Sequence, residues 1–124
     1  MRGEVWWANY ELAIDDELWD GTLRPILLLS RTSAREVKAM MIVAPAMVDI
    51  SGIAIEVALG IEDGLLQPAV VRVALPREGR ILCDWLVTMN EADLVRRAGT
   101  LSPAKLRVVE DMLVRAQLDS ARWA

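Results

Sequence analysis

The sequence predicts an α+β or small-barrel protein: a mainly antiparallel sheet of short strands with C-terminal helices set to one side. Three observations lead there. The first two thirds of the chain is a series of apolar runs of strand length, separated by turn residues. The alternation of Ile53, Ile55 and Val57 has a period of two, as on one face of a strand. After Asn90 the apolar spacing lengthens to three and four, and Ser102-Pro103 opens the clearest helix in the chain.

Taken in order, Gly3 to Tyr10 is aromatic and β-prone, and the acidic stretch Glu11 to Asp20, closed by Gly21, reads as an exposed loop. Trp6 and Trp7 must point to opposite faces of the first strand, which places one of them outside or in a dimer interface. Pro25 to Arg31 is too short for a helix and too apolar for a half-exposed strand, so a strand buried on both faces is expected, with proline at its first residue. Ser33 to Val37 suits a helical turn, and Lys38 to Ala44 a third strand ended by Pro45. Gly52 to Leu59 follows as a half-exposed strand with Glu56 and Ala58 on its other side. Gly60 to Gly64 is turn chemistry, and Ala69 to Leu75 and Arg80 to Thr88 flank Pro-Arg-Glu-Gly, a loop suited to a hairpin. Asn90 with Asp93 at N3 predicts a short helix over Glu91 to Arg97, ended at Gly99. In the last helix Ser102 is the N-cap, Pro103 fits N1, and Leu106, Val109, Leu113 and Ala116 form the stripe that packs on the sheet.

Length and composition narrow the function. The 124 residues suit one domain, 1–124, and 54% hydrophobic residues with no low-complexity segment allow the whole chain to fold. Runs such as Ile26 to Leu29 and Met40 to Met47 fall far short of the roughly 20 apolar residues a membrane span needs. Met-Arg-Gly-Glu enters a strand pattern without an apolar h-region or a small-residue cleavage site, so a cytoplasmic protein is expected. With no histidine and Cys83 as the single cysteine, neither a zinc site nor a catalytic triad is expected, and no cofactor is assigned. Cys83, between Leu82 and Asp84, reads as a buried inert thiol. The net charge of −4 is the wrong sign for a broad cationic nucleic-acid surface, so any RNA contact must be local. The basic groups Arg24 with Arg31, Arg72 with Arg77 and Arg80, and Arg96 with Arg97 each read, taken alone, as solvated surface.

Two segments go beyond this. Arg2-Gly3-Glu4-Val5-Trp6-Trp7-Ala8, followed after a gap by Arg24-Pro25-Ile26-Leu27-Leu28-Leu29-Ser30, resembles the opening of MazF/PemK toxins, in which an Arg-Gly-acid-aliphatic-aromatic run precedes Arg-Pro, an aliphatic strand and a serine. Val43-Ala44-Pro45, Gly52 to Val57, Glu62 to Leu65 and Thr100 to Leu106 are similar, in the same order, to the later segments of that family. The resemblance spans nearly the whole chain. It implies an SH3-like antiparallel barrel and a dimeric toxin of a type II toxin-antitoxin system. Its partners are then single-stranded RNA, which it cuts without a metal, and an antitoxin peptide laid across the RNA groove.

Such cleavage uses the ribose 2′-OH as nucleophile, so the enzyme must move protons and stabilise charge growing on the phosphate. Arg24 matches the arginine of the Arg-Pro motif, and a rigid strand just behind it would aim a permanently charged, bidentate donor. Without the resemblance, an ion pair with the acidic loop would be the simpler reading. The family's second catalytic position is a Ser or Thr in a pattern like Val-Ala-Pro-x-Thr-Thr; here Met47 stands in that place, and a thioether cannot do a hydroxyl's work. Met47 itself is expected to pack against its surroundings. Asp49 and Ser51, in the same loop, are the catalytic substitutes named with Arg24. The RNA or antitoxin surface is assigned to Trp19, Asp20, Thr22, Ser30 and Arg31, and to Met47, Arg77 and Arg80. Trp19 is read as exposed and able to stack on an unpaired base, and Trp85 as core. Asp15, Asp16, Glu17 and Asp20 fall in the loop where family members often carry a glutamate, and a raised pKa there would give a general acid or base; more often such a run is simply a solvated loop. The alternative is a non-catalytic or protein-targeting toxin: the CcdB gyrase poisons share the fold and resemble this chain in a tryptophan near the C-terminus, here Trp123.

Overall fold

The computed structural model describes residues 1–9, 19, 22–50, 52–75 and 86–116. Its seven strands are β1 (Glu4–Asn9), β2 (Leu23–Leu28), β3 (Glu36–Val43), β4 (Ala54–Leu59), β5 (Ala69–Ala74), β6 (Leu86–Asn90) and β7 (Leu94–Thr100), and the one helix among the described residues is α1 (Pro103–Arg115). All strand pairs are antiparallel, in the order β4-β5-β3-β2-β1-β7, with β6 also on β3. β3 is the hub. Its first half pairs with β6, from Glu36↔Asn90 to Met40↔Leu86, and its end passes to β5 through Ile42↔Val71 and Val43↔Val70. This change of partner wraps the sheet into a mainly β, barrel-like α+β fold.

β2 is buried on both faces, as its unbroken apolar run requires. Leu27 and the following Leu29 enter the main core with Val5, Trp7, Met40, Ile42 and Val71, while Ile26 and Leu28 enter a second cluster with Ala8, Val37, Ala39 and Met89. The main core is closed by α1 through Val109, Met112, Leu113 and Ala116. Ser102 Oγ accepts the Lys105 N–H at 3.1 Å, and Pro103 occupies the first turn, so the cap works as its residue types dictate. Trp7 lies in the main core and Trp6 packs on the second cluster, one on each face as strand geometry demands.

Two local expectations fail. The segment Glu91 to Arg97 is not a helix: Glu91–Asp93 is a single 3₁₀ turn, Asn90 makes no side-chain cap bond, and Leu94 begins β7. The free edge of β1 decides this. A strand there satisfies its backbone groups from Glu4↔Thr100 to Ala8↔Leu94, which an isolated short helix could not offset. Gly99 is accordingly no helix end. A Cβ on it would meet the Asp63 carbonyl oxygen at 2.4 Å, so glycine is there to let β7 pass beneath the 3₁₀ turn Ile61–Asp63. Nor is Ser33 to Val37 a helical turn. Ser33 Oγ donates to the Glu91 carboxylate at 2.6 Å and the Ala34 N–H donates to it at 2.9 Å, and β3 has already begun at Glu36.

The turn at 60–64 forms where expected, with Gly64 left-handed at φ +98. Asp63 is buried there and holds it to α1: its carboxylate accepts from the Gly60 N–H at 2.9 Å and from Lys105 Nζ at 2.8 Å, while Lys105 also reaches Glu62 at 3.0 Å. Midway along α1, Arg2 donates through Nη1 to Glu110 at 2.9 Å, and through Nε to the Leu29 carbonyl at 2.8 Å. The Pro-Arg-Glu-Gly loop of the expected hairpin lies outside the described residues.

Candidate functional site

Arg24 is the second residue of β2 and stands opposite Ala8 of β1. The β2–β3 register runs Ile26↔Met41, Leu27↔Met40, Leu28↔Ala39. The two strands are antiparallel, so the start of β2, with Arg24, and the end of β3, at Val43, lie toward the same end of the sheet. Arg24 and the segment that leaves β3, residues 44–50, therefore share one end of the sheet. The guanidinium is half-buried, with Nη1 donating to the Leu23 carbonyl at 3.1 Å. Half burial beside a rigid strand limits the directions in which this charge can point.

Past Val43 the β3 ladder ends, and side chains take over the backbone. Glu56 of β4 and Arg72 of β5 are direct partners across the two strands. The Arg72 Nε donates to Glu56 Oε2 at 2.7 Å, and its Nη2 donates both to that oxygen and to the Ala44 carbonyl, the latter at 3.0 Å. Glu56 Oε2 also accepts the Ala46 N–H at 3.1 Å. The pair thus grips the chain on either side of Pro45.

Met47, expected to pack, is instead 96% exposed, and Val48 is 74% exposed. The segment crosses open surface between β3 and the turn at Ile50, whose carbonyl accepts the N–H groups of Ile53 and Ala54, so no core is within reach of position 47. Asp49 is exposed beside it and Thr22 is exposed just before β2. Ser51, Asp20, Arg77 and Arg80 lie outside the described residues, as do Asp15, Asp16, Glu17, Cys83, Trp85 and Trp123.

Trp19 is a second correction. It is 6% exposed, with its ring set edge-on to Trp7 at 5.5 Å and 82°. Burying that much aromatic surface in the main core outweighs the polar sequence around it, even though its Nε1 has no hydrogen-bond partner among the described residues. Trp19 therefore cannot offer its face to a base in this conformation. Ser30 is buried, and its Oγ accepts the Lys38 N–H at 2.8 Å, a bond that shapes the β2–β3 loop, whereas Arg31 after it is exposed. Arg72, grouped by sequence with solvated arginines, is a third correction: its side chain is 16% exposed and bound to Glu56. The signal for it was present, since one charge interrupts each of two apolar strands, at Ile55-Glu56-Val57 and Val71-Arg72-Val73. It could be read only once the register that makes them partners was known.

Elsewhere the charge pairs are structural. Burial opposes the Glu4 carboxylate, but hydrogen bonds from Trp6 Nε1 and Arg97 outweigh it and hold the group below the usual 4.5. The bond from Lys105 likewise lowers Glu62. For Lys105, burial pulls the ammonium down, and the carboxylates of Asp63 and Glu62 more than reverse it, leaving it above 10.5.

The family described as PemK-like, MazF-like toxin of type II toxin-antitoxin systems matches residues 1–116, and the chain belongs to it. It is similar to the probable endoribonuclease MazF5 of Mycobacterium tuberculosis, with 32% identity over 108 residues, covering 87% of this chain and 84% of the relative.

Proposed function

We propose that this protein is a cytoplasmic endoribonuclease toxin that cuts single-stranded RNA without a metal and is restrained by a cognate antitoxin peptide. The observation that carries the reading is the placement of Arg24, half-buried near the start of β2, toward the end of the sheet where residues 44–50 leave β3. A ribose 2′-OH gives up its proton and attacks the adjacent phosphorus. The bond from phosphorus to the 5′-oxygen breaks and that oxygen takes a proton, leaving a 2′,3′-cyclic phosphate and a 5′-hydroxyl. Arg24 stabilises the charge on the non-bridging oxygens. Asp49 and Ser51 are the candidates for proton transfer, because Met47 has no exchangeable proton and stands where the resemblance implies a hydroxyl. Thr22, Arg31 and Met47 border the RNA path, and a homodimer is the working form.

Incubating the purified protein with single-stranded RNA in EDTA tests this. Cleavage to cyclic-phosphate ends that disappears in Arg24→Ala is expected. Intact RNA with the wild-type protein would refute it. The exposed thioether at 47 also favours a second reading, an antitoxin-binding toxin that does not cut RNA; a protein that binds antitoxin, lacks nuclease activity and stays inert as Met47→Thr would fit that instead.

A further inference from the structure

We infer that Glu56 and Arg72 are positioning residues: together they form a clamp that fixes the course of segment 44–50 as it leaves β3, toward the end of the sheet that carries Arg24. The inference rests on the ribonuclease reading of that end of the sheet. A pair of half-buried charges on neighbouring strands is a poor way to hold strands together, since well-packed apolar residues usually do so equally well or better. β4 and β5 do not need it, because their ladder already runs from Ala54↔Ala74 to Leu59↔Ala69. The pair's remaining hydrogen bonds point away from that ladder. Arg72 Nη2 holds the Ala44 carbonyl and Glu56 Oε2 holds the Ala46 N–H, the two backbone groups that flank Pro45. These groups have just left the β3 ladder, and proline cannot donate in their stead. The next two residues, Met47 and Val48, are exposed and pack on no core among the described residues. Their direction is set by the clamp behind them. A displacement of about 1 Å at reacting groups costs on the order of a hundredfold in rate, so loosening this segment must be felt in turnover.

The test compares Glu56→Gln with the double variant Glu56→Val/Arg72→Val. The glutamine keeps an acceptor for both Ala46 and Arg72. The double variant strands no charge and gives the sheet two good strand formers, so it stays folded. Two readouts are taken: backbone amide exchange at Ala46 against a core amide such as Leu27, and kcat with KM on single-stranded RNA well below Tm. In the double variant Ala46 exchange should rise while Leu27 holds, with kcat down roughly ten-fold or more and KM within about three-fold. Glu56→Gln, which keeps the acceptor but removes the charge facing Arg72, should fall between wild type and the double variant in Ala46 exchange. Unchanged Ala46 exchange in the folded double variant overturns the clamp, and so does a loosened segment with unchanged kcat. If the wild type cuts no RNA, the ribonuclease reading falls, and the clamp stands or falls on the exchange readout alone.

Discussion

At position 47 the chemistry of a side chain and its placement come apart. Met47 stands where the resemblance implies a hydroxyl, yet it does not fill a core in exchange. Exposure of this kind makes the position replaceable. Met47→Thr should change stability by less than about 0.5 kcal/mol, since surface substitutions away from special contacts seldom cost more. Turnover of single-stranded RNA should stay within about three-fold if Asp49 and Ser51 supply the proton transfer, and a rise of roughly ten-fold or more would show that they do not. Thermal melting and initial rates on the same preparation measure both. An unchanged rate would mean that Asp49 or Ser51 already supplies that transfer. Arg24 differs in kind, because its charge is permanent and its backbone lies in a strand with both faces packed. Its position at the start of a buried strand was legible from the Arg-Pro motif, whereas the side-chain contacts of Glu56 and Arg72 were not. Those depend on which residue of β5 lies opposite which residue of β4, a long-range register that no local pattern encodes.

Among the elements, β1 to β5 follow from apolar runs and turn residues, and α1 from its cap and stripe. The failure at 91–97 is instructive because local signals there did favour a helix. Asn90 and the spacing after it were outweighed by the open edge of β1, a partner distant in sequence. Trp19 failed for the same kind of reason: its neighbours are polar, but Trp7 is waiting in the core. Where elements dock, the turn 60–64 and α1 meet through Lys105. Lys105→Met should cost roughly 2 to 3 kcal/mol in urea unfolding, because it leaves the buried Asp63 carboxylate without its counter-charge. The acid side carries a further sign. Glu62 has its folded pKa below 4.5, so its contribution is present above that value and lost as pH falls through the folded pKa. Lys105, raised above 10.5, contributes fully below 10.5 and loses its contribution only as pH rises through its folded value. The stability gap between wild type and Lys105→Met should therefore narrow below about pH 4.5. A gap that widened there would contradict the lock.

For the whole molecule, a net charge of −4 restricts how RNA is held. RNA must then be held by a small number of local cationic contacts against an unfavourable overall field. Affinity for a non-cleavable single strand should therefore fall with salt with a log-log slope of about −2, the value for two or three phosphate contacts. Fluorescence anisotropy across a salt series measures it, and a slope steeper than about −4 would point to a broad cationic face instead. The central claim is that this barrel cuts RNA through the 2′-OH with Arg24 on the phosphate. The most direct measurement is end-group analysis after digestion, in EDTA, of a single-stranded RNA and of DNA with the same sequence, by wild type and by Arg24→Ala. The account predicts 2′,3′-cyclic phosphate ends from RNA with the wild type only, and intact DNA throughout. Cleavage of the DNA, or RNA cut equally well by Arg24→Ala, would contradict it.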